Sequence, residues 1–368
     1  MQIRRIVLRA GILTYHNTRN CGAVLQAYAL QNKLTQLGIE SDIIDYRCPL
    51  LEETYKLKKI VEIKDLKELM KWSLTIRRDV NCQNKFDSFR KRYLCLSKPY
   101  FPKTIAEANK DYNAFIVGSD QVWNCFLNGV DTTFFLDFTA DTKKKISYAA
   151  SLGYSKIPDS FIDIYQKYLP AFDAISVREA EGRQAILEFM TDKPVEVLPD
   201  PVLLLSPDEW GKLAVCNEKE PFIFVYTVAP TKHIEPFVKK LSSKTGLKVI
   251  WGHMSYRKKA GVINRTDLSP EEFLGYIQHA RYVVTSSFHG LVFATIFHKP
   301  LFYDLDNNKQ NNNSRLRSFS QLVGLASRCL SDGEYHIDTY EEVDFCQVDQ
   351  AILLQQKKAT EYLLNSLN

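Results

Sequence analysis

Short apolar runs recur along the chain, and each ends in a polar turn. GILTY (residues 11–15) meets HNTRNCG (16–22). AVLQAYALQNKLTQLG (23–38) then places apolar residues at helical spacing and stops on glycine. IESDIIDY (39–46) reads as a second strand, so this opening is a βαβ unit and implies a parallel sheet. Residues 51–110 break the rhythm with a densely charged, mostly helical pattern. Within it, YKLKKIVEIKDLKELMKW (55–72) has helical apolar spacing. AFIVGSD (114–120), KISYAASLG (145–153), AISVRE (174–179) and VEVLPD (195–200) resume the logic of a strand followed by a polar turn. PVLLLSPDEW (201–210) reads as an exit segment and linker.

The pattern restarts at PFIFVYTV (221–228) and LKVIWG (247–252). SPEEFLGYIQ (269–278) begins a helix, with Ser269 as N-cap, Pro270 at the first position and Glu272 at the third. RYVVTS (281–286) and PLFYD (300–304) are strands again, and VVTSSFHG (283–290) leads into a buried helix, LVFATIF (291–297). Residues 349–367 read as a terminal helix. The expected fold class is α/β, with two Rossmann-like domains whose parallel sheets face a cleft. Residues 1–205 form the first domain, with a charged helical insertion at 51–110. Residues 206–368 form the second and carry the terminal helix.

Composition narrows the function. The 368 residues are 45% hydrophobic and 25% charged, an ordinary globular balance with room for two domains. A net charge of +5 is too weak to argue for nucleic acid, and no aromatic and basic array accompanies it. The eight cysteines include no C-x-x-C pair, so reduced thiols are expected rather than a zinc ribbon or a redox motif. Arg9 interrupts the first apolar run and no small-residue cleavage site follows it. No apolar run nears the roughly 18 residues of a membrane span, and the expected location is cytoplasmic. The lysine-rich helix leaves two readings open: a solvated face, or peripheral contact with the inner face of a membrane.

In open parallel sheets, ligands bind beyond the carboxyl ends of the strands. That rule selects His16, Asn17, Asn20, Gly22, Gly118, Ser119, Asp120, Ser151, Arg178, Glu179, Asp200, His253, Ser286, Ser287 and His289. The polar and aromatic run Ser119, Asp120, Gln121, Trp123 suits a sugar, although Asp120 could simply cap a helix. Arg178 and Glu179 could be a surface ion pair, but an arginine after a buried strand can hold a carboxylate or phosphate with two parallel hydrogen bonds. His289 stands at a strand-to-helix junction, where a helix N-terminus favours an anion and a histidine can act as an acid. Gly290 allows close backbone approach there.

These elements occur in a definite order: NCGAVLQAYAL (20–30), FIVGSDQVWN (115–124), KISYAASLG (145–153), ISVRE (175–179), LPDPVL (198–203) and TSSFHG (285–290). The ordered set resembles the polysaccharide pyruvyl transferases over about residues 11–330. The resemblance implies a fold similar to the glycosyltransferase B architecture. It implies phosphoenolpyruvate as donor co-substrate and a sugar as acceptor, in a surface-polysaccharide unit that is lipid-linked in one version. The product is a pyruvate ketal bridging two hydroxyls, with phosphate released. The family arginine of S-x-R-[DE] maps onto Arg178 and its H-G histidine onto His289. Many members carry Arg-Leu-His-Gly where this chain has Ser287, Phe288, His289 and Gly290. The second donor-binding arginine is therefore absent from its usual place, and Arg315, in NSRLR (313–317) after the asparagine-rich tract, is the candidate replacement.

On this reading His289 is the acid or stabilises phosphate, and Asp120 or Glu179 is the base. Arg178, Ser286, Ser287, Gly290 and Arg315 bind the donor, while Asn20, Gly22, Ser119, Gln121, Trp123 and Glu179 bind the acceptor. No metal or further cofactor is required. Two other classes stay open: a glycosyltransferase using a nucleotide sugar, and a non-catalytic glycan-binding relative.

Overall fold

The computed structural model describes residues 8–228, 230–253, 259–306, 313–333 and 343–367. It divides into two compact units. One comprises Met1–Tyr55, Arg90–Leu205 and Leu353–Asn368; the other comprises Lys56–Phe89 and Ser206–Ile352. Two segments thus lie outside the domain their chain order suggests. Residues 56–89 group with the second unit, where Lys85 Nζ donates to Asp267 O at 3.0 Å and Glu272 Oε2 at 2.8 Å. The end of the terminal helix Phe345–Leu367 groups with the first, where Gln356 Nε2 donates to Leu203 O at 2.6 Å and Tyr362 Oη to Ser147 O at 2.8 Å.

The first unit is built on five parallel strands: β1 (Arg9–Leu13), β2 (Glu40–Tyr46), β3 (Leu96–Tyr100), β4 (Ala114–Val117) and β5 (Lys144–Ser147), in the order β3-β2-β1-β4-β5. β6 (Ile175–Val177) and β7 (Val195–Val197) pair in parallel, and bridges from Ile146 to Ala174 and from Ala150 to Val177 continue the array past β5. The central strands are short and nearly all apolar because both their faces are buried, as for the fully buried AFIV of β4. Helix Cys21–Gln36 starts where Asn20 Oδ1 accepts from Gly22 N at 3.0 Å and Ala23 N at 3.3 Å.

The second unit repeats the design with β8 (Phe222–Thr227), β9 (Lys248–His253), β10 (Ile263–Arg265), β11 (Tyr282–Thr285) and β12 (Leu301–Tyr303), all parallel in the order β10-β9-β8-β11-β12. Its helix Pro270–His279 opens on the expected capping box: Ser269 Oγ accepts from Glu272 N at 3.1 Å, and Glu272 Oε2 accepts from Ser269 N at 2.8 Å. Its core joins Ile223, Val225, Val249, Trp251, Val284 and Phe302 to the helix residues Ile234, Val238 and Leu241.

In each sheet the first strand lies in the middle. The next two strands run to one side and the later ones to the other. The chain therefore reverses direction between β1 and β4, and again between β8 and β11. Those reversals are the topological switch points of open α/β sheets. All eight cysteines are free thiols.

Candidate functional site

At the first switch point β1 runs into Thr14, Tyr15 and His16, and β4 into Gly118, Ser119 and Asp120. Thr14 Oγ1 donates to Ser119 O at 2.8 Å and accepts from Gln26 Nε2 at 2.9 Å, which ties both strand ends to the first helix. Asp120 has φ +73°, a left-handed backbone that aspartate tolerates better than most residues. Strain of this kind gathers at functional sites. Its Oδ1 accepts from Gln121 N at 2.9 Å.

Arg178, just past β6, joins this edge with its side chain only 3% exposed. Its Nε donates to Glu179 Oε1 at 2.9 Å and its Nη1 to Asp200 Oδ2 at 2.6 Å. Glu179 Oε1 also accepts from Ser151 Oγ at 2.9 Å, and Asp200 Oδ2 accepts from Ser119 Oγ at 3.2 Å. Burial opposes the guanidinium charge. The fields of Glu179, Asp200 and Asp120 outweigh burial and hold its pKa above the ordinary range. Burial, and then the charge of Asp120, push the Tyr15 and Tyr55 phenols up. Ser119, Asp120, Ser151, Arg178, Glu179 and Asp200 thus form one polar cluster, which the strand-end rule selected in full. Its wiring was not legible: Arg178 does not stand open for an anion, because the chain's own carboxylates already bind it.

Other expectations for this edge change. Trp123 is fully buried, stacks on Phe135 at 5.9 Å and gives its indole N–H to Phe134 O at 3.0 Å. A ring with no exposed face offers a sugar no platform, so Trp123 is a core residue. His16 is a buried brace rather than a lining residue. Its Nε2 lies 2.9 Å from Asp45 Oδ1 and its Nδ1 lies 3.2 Å from Thr14 O. Burial works to raise the Asp45 pKa, but the hydrogen bonds from His16 and Arg47 outweigh it and hold that carboxyl below its usual range. Asn20 is the helix cap described above, and Gly22 is buried in the first turn that it caps. Gln121 is half-buried and accepts from Asn124 Nδ2 at 2.9 Å.

At the second switch point the helix Phe288–Ile296 starts three residues earlier than the apolar run suggested, so His289 and Gly290 lie in its first turn. Ser287 is the N-cap: its Oγ accepts from Gly290 N at 3.2 Å and its N donates to Thr285 Oγ1 at 3.0 Å. Thr285 Oγ1 in turn donates to Tyr226 O at 2.8 Å, and Val228 N donates to Ser286 Oγ at 3.1 Å. These bonds lock the ends of β8 and β11 together beneath His289. A Cβ on Gly290 would stand 2.4 Å from Thr285 Oγ1. The glycine therefore lets the helix sit on the strand end. Gly290→Ala is expected to cost about 1–3 kcal/mol, read as a lower unfolding temperature.

Arg315 lies on the helix Ser314–Leu322. It precedes Phe319 by one turn and shares its face, and the Phe319 ring meets Phe288 edge-on at 6.1 Å. That places Arg315 on the face turned toward the His289 helix. Residues 307–312 of the asparagine-rich tract fall outside the described residues.

One pair escaped the sequence reading. Asp304, directly after β12, is completely buried. Its Oδ1 accepts from His233 Nδ1 at 3.1 Å and from Leu305 N at 3.0 Å, and its Oδ2 accepts from His233 N at 3.0 Å. His233 precedes the helix Ile234–Thr245, and its side chain is 47% exposed. A buried carboxylate that fixes one ring nitrogen of an exposed histidine is the arrangement that orients acid–base imidazoles. The strand-end rule applied to PLFYD would have selected Asp304. The histidine has no sequence signal.

The model of the polysaccharide pyruvyl transferase family matches residues 20–303. The chain belongs to that family. The match takes in both the Arg178 element and the His289 element and ends at β12. The family is one of transferases, and a polysaccharide acceptor goes with it. Among solved structures, an α-glucosyltransferase in complex with UDP and a 13-mer DNA is 9% identical, covers 97% of this chain and 95% of that chain, and has a TM-score of 0.50. A UDP-N-acetylglucosamine 2-epimerase from Rickettsia bellii is 9% identical over 98% of this chain and 97% of that one, with a TM-score of 0.47. The UDP-GlcNAc 2-epimerase from Neisseria meningitidis is 11% identical over 97% and 99%, with a TM-score of 0.46. At 9% identity the likeness to the glucosyltransferase is one of fold alone, and this pyruvyl transferase family chain has the two-domain architecture of glycosyltransferase B type. Among curated proteins none matches the chain.

Proposed function

We propose that the chain transfers the enolpyruvyl group of phosphoenolpyruvate onto two hydroxyls of a sugar in a growing surface-polysaccharide unit. The reaction has three demands. An acid protonates the methylene carbon of the enol phosphate, leaving an oxocarbenium-like C2. One sugar hydroxyl attacks C2 and gives up its proton to a base. The second hydroxyl then displaces phosphate and closes the ketal, its proton leaving with the phosphate. His289 is the candidate acid or phosphate stabiliser, and Asp120 or Glu179 is the candidate base. Ser286, Ser287 and Arg315 make up the donor side. Arg178 fixes the orientation of Glu179.

The observation that carries this reading is the family match over residues 20–303, with Arg178 and His289 both inside it. It is favoured over a nucleotide-sugar donor by the end of β9. A dinucleotide-type half carries an acidic residue for the ribose near the end of its second strand. This unit has His253 there, with Nε2 2.8 Å from Asn264 Oδ1. The test is phosphate release from phosphoenolpyruvate with β-galactosides, glucosaminides and mannosides, set beside turnover of UDP- and GDP-sugars. If Arg315 replaces the missing arginine, Arg315→Ala raises the donor KM roughly 10–100-fold while kcat changes little, the effect of losing one charged hydrogen bond. An unchanged KM removes Arg315 from the donor side.

A further inference from the structure

The helix Leu66–Tyr93 presents a bare apolar stripe. Leu66, Met70 and Leu74 stand 73%, 61% and 73% exposed. They are four residues apart, so they share one face of the helix. Ile60 and Val61, just upstream, are 59% and 84% exposed. Trp72 Nε1 donates to Lys58 O at 2.7 Å and holds this upstream segment against the helix. Isolated exposed apolar residues are ordinary; a contiguous row of them marks an interaction surface.

The charge around the stripe identifies its occupant. Residues 56–78 hold eight Lys and Arg against three Asp and Glu, a surplus of five. That equals the net charge of the whole chain, so the rest of the protein is balanced. Two of the three acids are already matched: Lys56 Nζ lies 2.5 Å from Glu62 Oε1, and Lys58 Nζ lies 2.6 Å from Glu68 Oε1. Lys67 and Lys71 follow Leu66 and Met70 by one residue and so flank the stripe, and Arg77 continues its line. Among the described residues these three make no ion pair. A second copy laid on this face would set its own lysines beside these, which like-charge repulsion opposes.

We propose that this face docks the protein on an anionic membrane surface, the stripe entering the headgroup boundary and Lys67, Lys71 and Arg77 meeting lipid phosphates. No helix among the described residues is long and apolar enough to cross a membrane, so the contact is peripheral. The inference goes beyond the transferase reading, and its test has no catalytic readout, so either can fail alone.

The experiment is sedimentation of the full chain with phosphatidylcholine vesicles, alone or mixed with phosphatidylglycerol. The expected result is binding to the mixed vesicles that weakens with added salt. Lys67→Gln combined with Lys71→Gln should lower it about tenfold or more. Leu66→Ser with Met70→Ser and Leu74→Ser should abolish it without lowering the unfolding temperature, since the three side chains are exposed. Absence of binding overturns the proposal. So does binding that ignores lipid charge and the lysine variant. Sedimentation velocity closes the remaining outcome: a dimer that the serine variant dissociates assigns the face to a second copy and also overturns it.

Discussion

His289→Ala lowers acceptor-dependent phosphate release by about 10²–10⁴-fold, the range for loss of a proton-transfer group. The expectation rests on where the residue sits. It occupies the first turn of Phe288–Ile296, over strand ends locked by Thr285, Ser286 and Ser287. A first helical turn favours a nearby anion through its open backbone N–H groups. His289→Gln separates the two roles open to the side chain. Glutamine keeps a hydrogen-bond donor but has no proton to give near neutral pH. If His289 is the acid, the glutamine enzyme is as slow as the alanine one. If it only stabilises phosphate, much of the rate survives. Wild-type rates in both variants would remove His289 from the chemistry.

Arg178→Ala destabilises the first unit by about 3–5 kcal/mol, the cost of leaving buried carboxylates without their partner. For a unit of this size that is a fall of roughly 6–20 °C in unfolding temperature. Glu179 and Asp200 are 5% and 1% exposed, and Arg178 is what offsets their charge. Arg178→Lys keeps the charge but cannot reach both acids with a planar fork, so it recovers only part of the stability. A variant that unfolds at the wild-type temperature yet loses donor affinity would show that the ion pairs matter less than an open guanidinium. Thermal unfolding and donor KM, measured on the same preparations, decide between these.

How much of this could be read from the sequence depends on burial. The central strands β1, β4, β8 and β11 were legible because a strand buried on both faces must be a continuous apolar run. The third strand of each sheet was not. β3 is LSKPY and β10 is INR, and both lie at sheet edges. An edge strand needs few apolar residues and tolerates charge and proline, so it looks like a loop or the end of a helix. The polar cluster around Arg178 was legible as a set because the carboxyl ends of parallel strands converge. Which member binds which was not, since the pairing of Arg178 with Asp200 joins residues 22 positions apart. Trp123 misled because a tryptophan among polar residues suits a sugar site equally well as a core anchor. His233 was invisible for the opposite reason: only the return of the chain at Asp304, 71 positions later, gives it a partner.

The identity of the donor separates a ketal-forming transferase from a glycosyltransferase. The wild-type chain should be incubated with phosphoenolpyruvate and the acceptor panel, with phosphate followed in solution and the sugar product by mass spectrometry. Phosphate release should depend on the acceptor and be matched mole for mole by a sugar carrying a pyruvate ketal. Turnover of a UDP- or GDP-sugar by the same preparation, with phosphoenolpyruvate left intact, would contradict it.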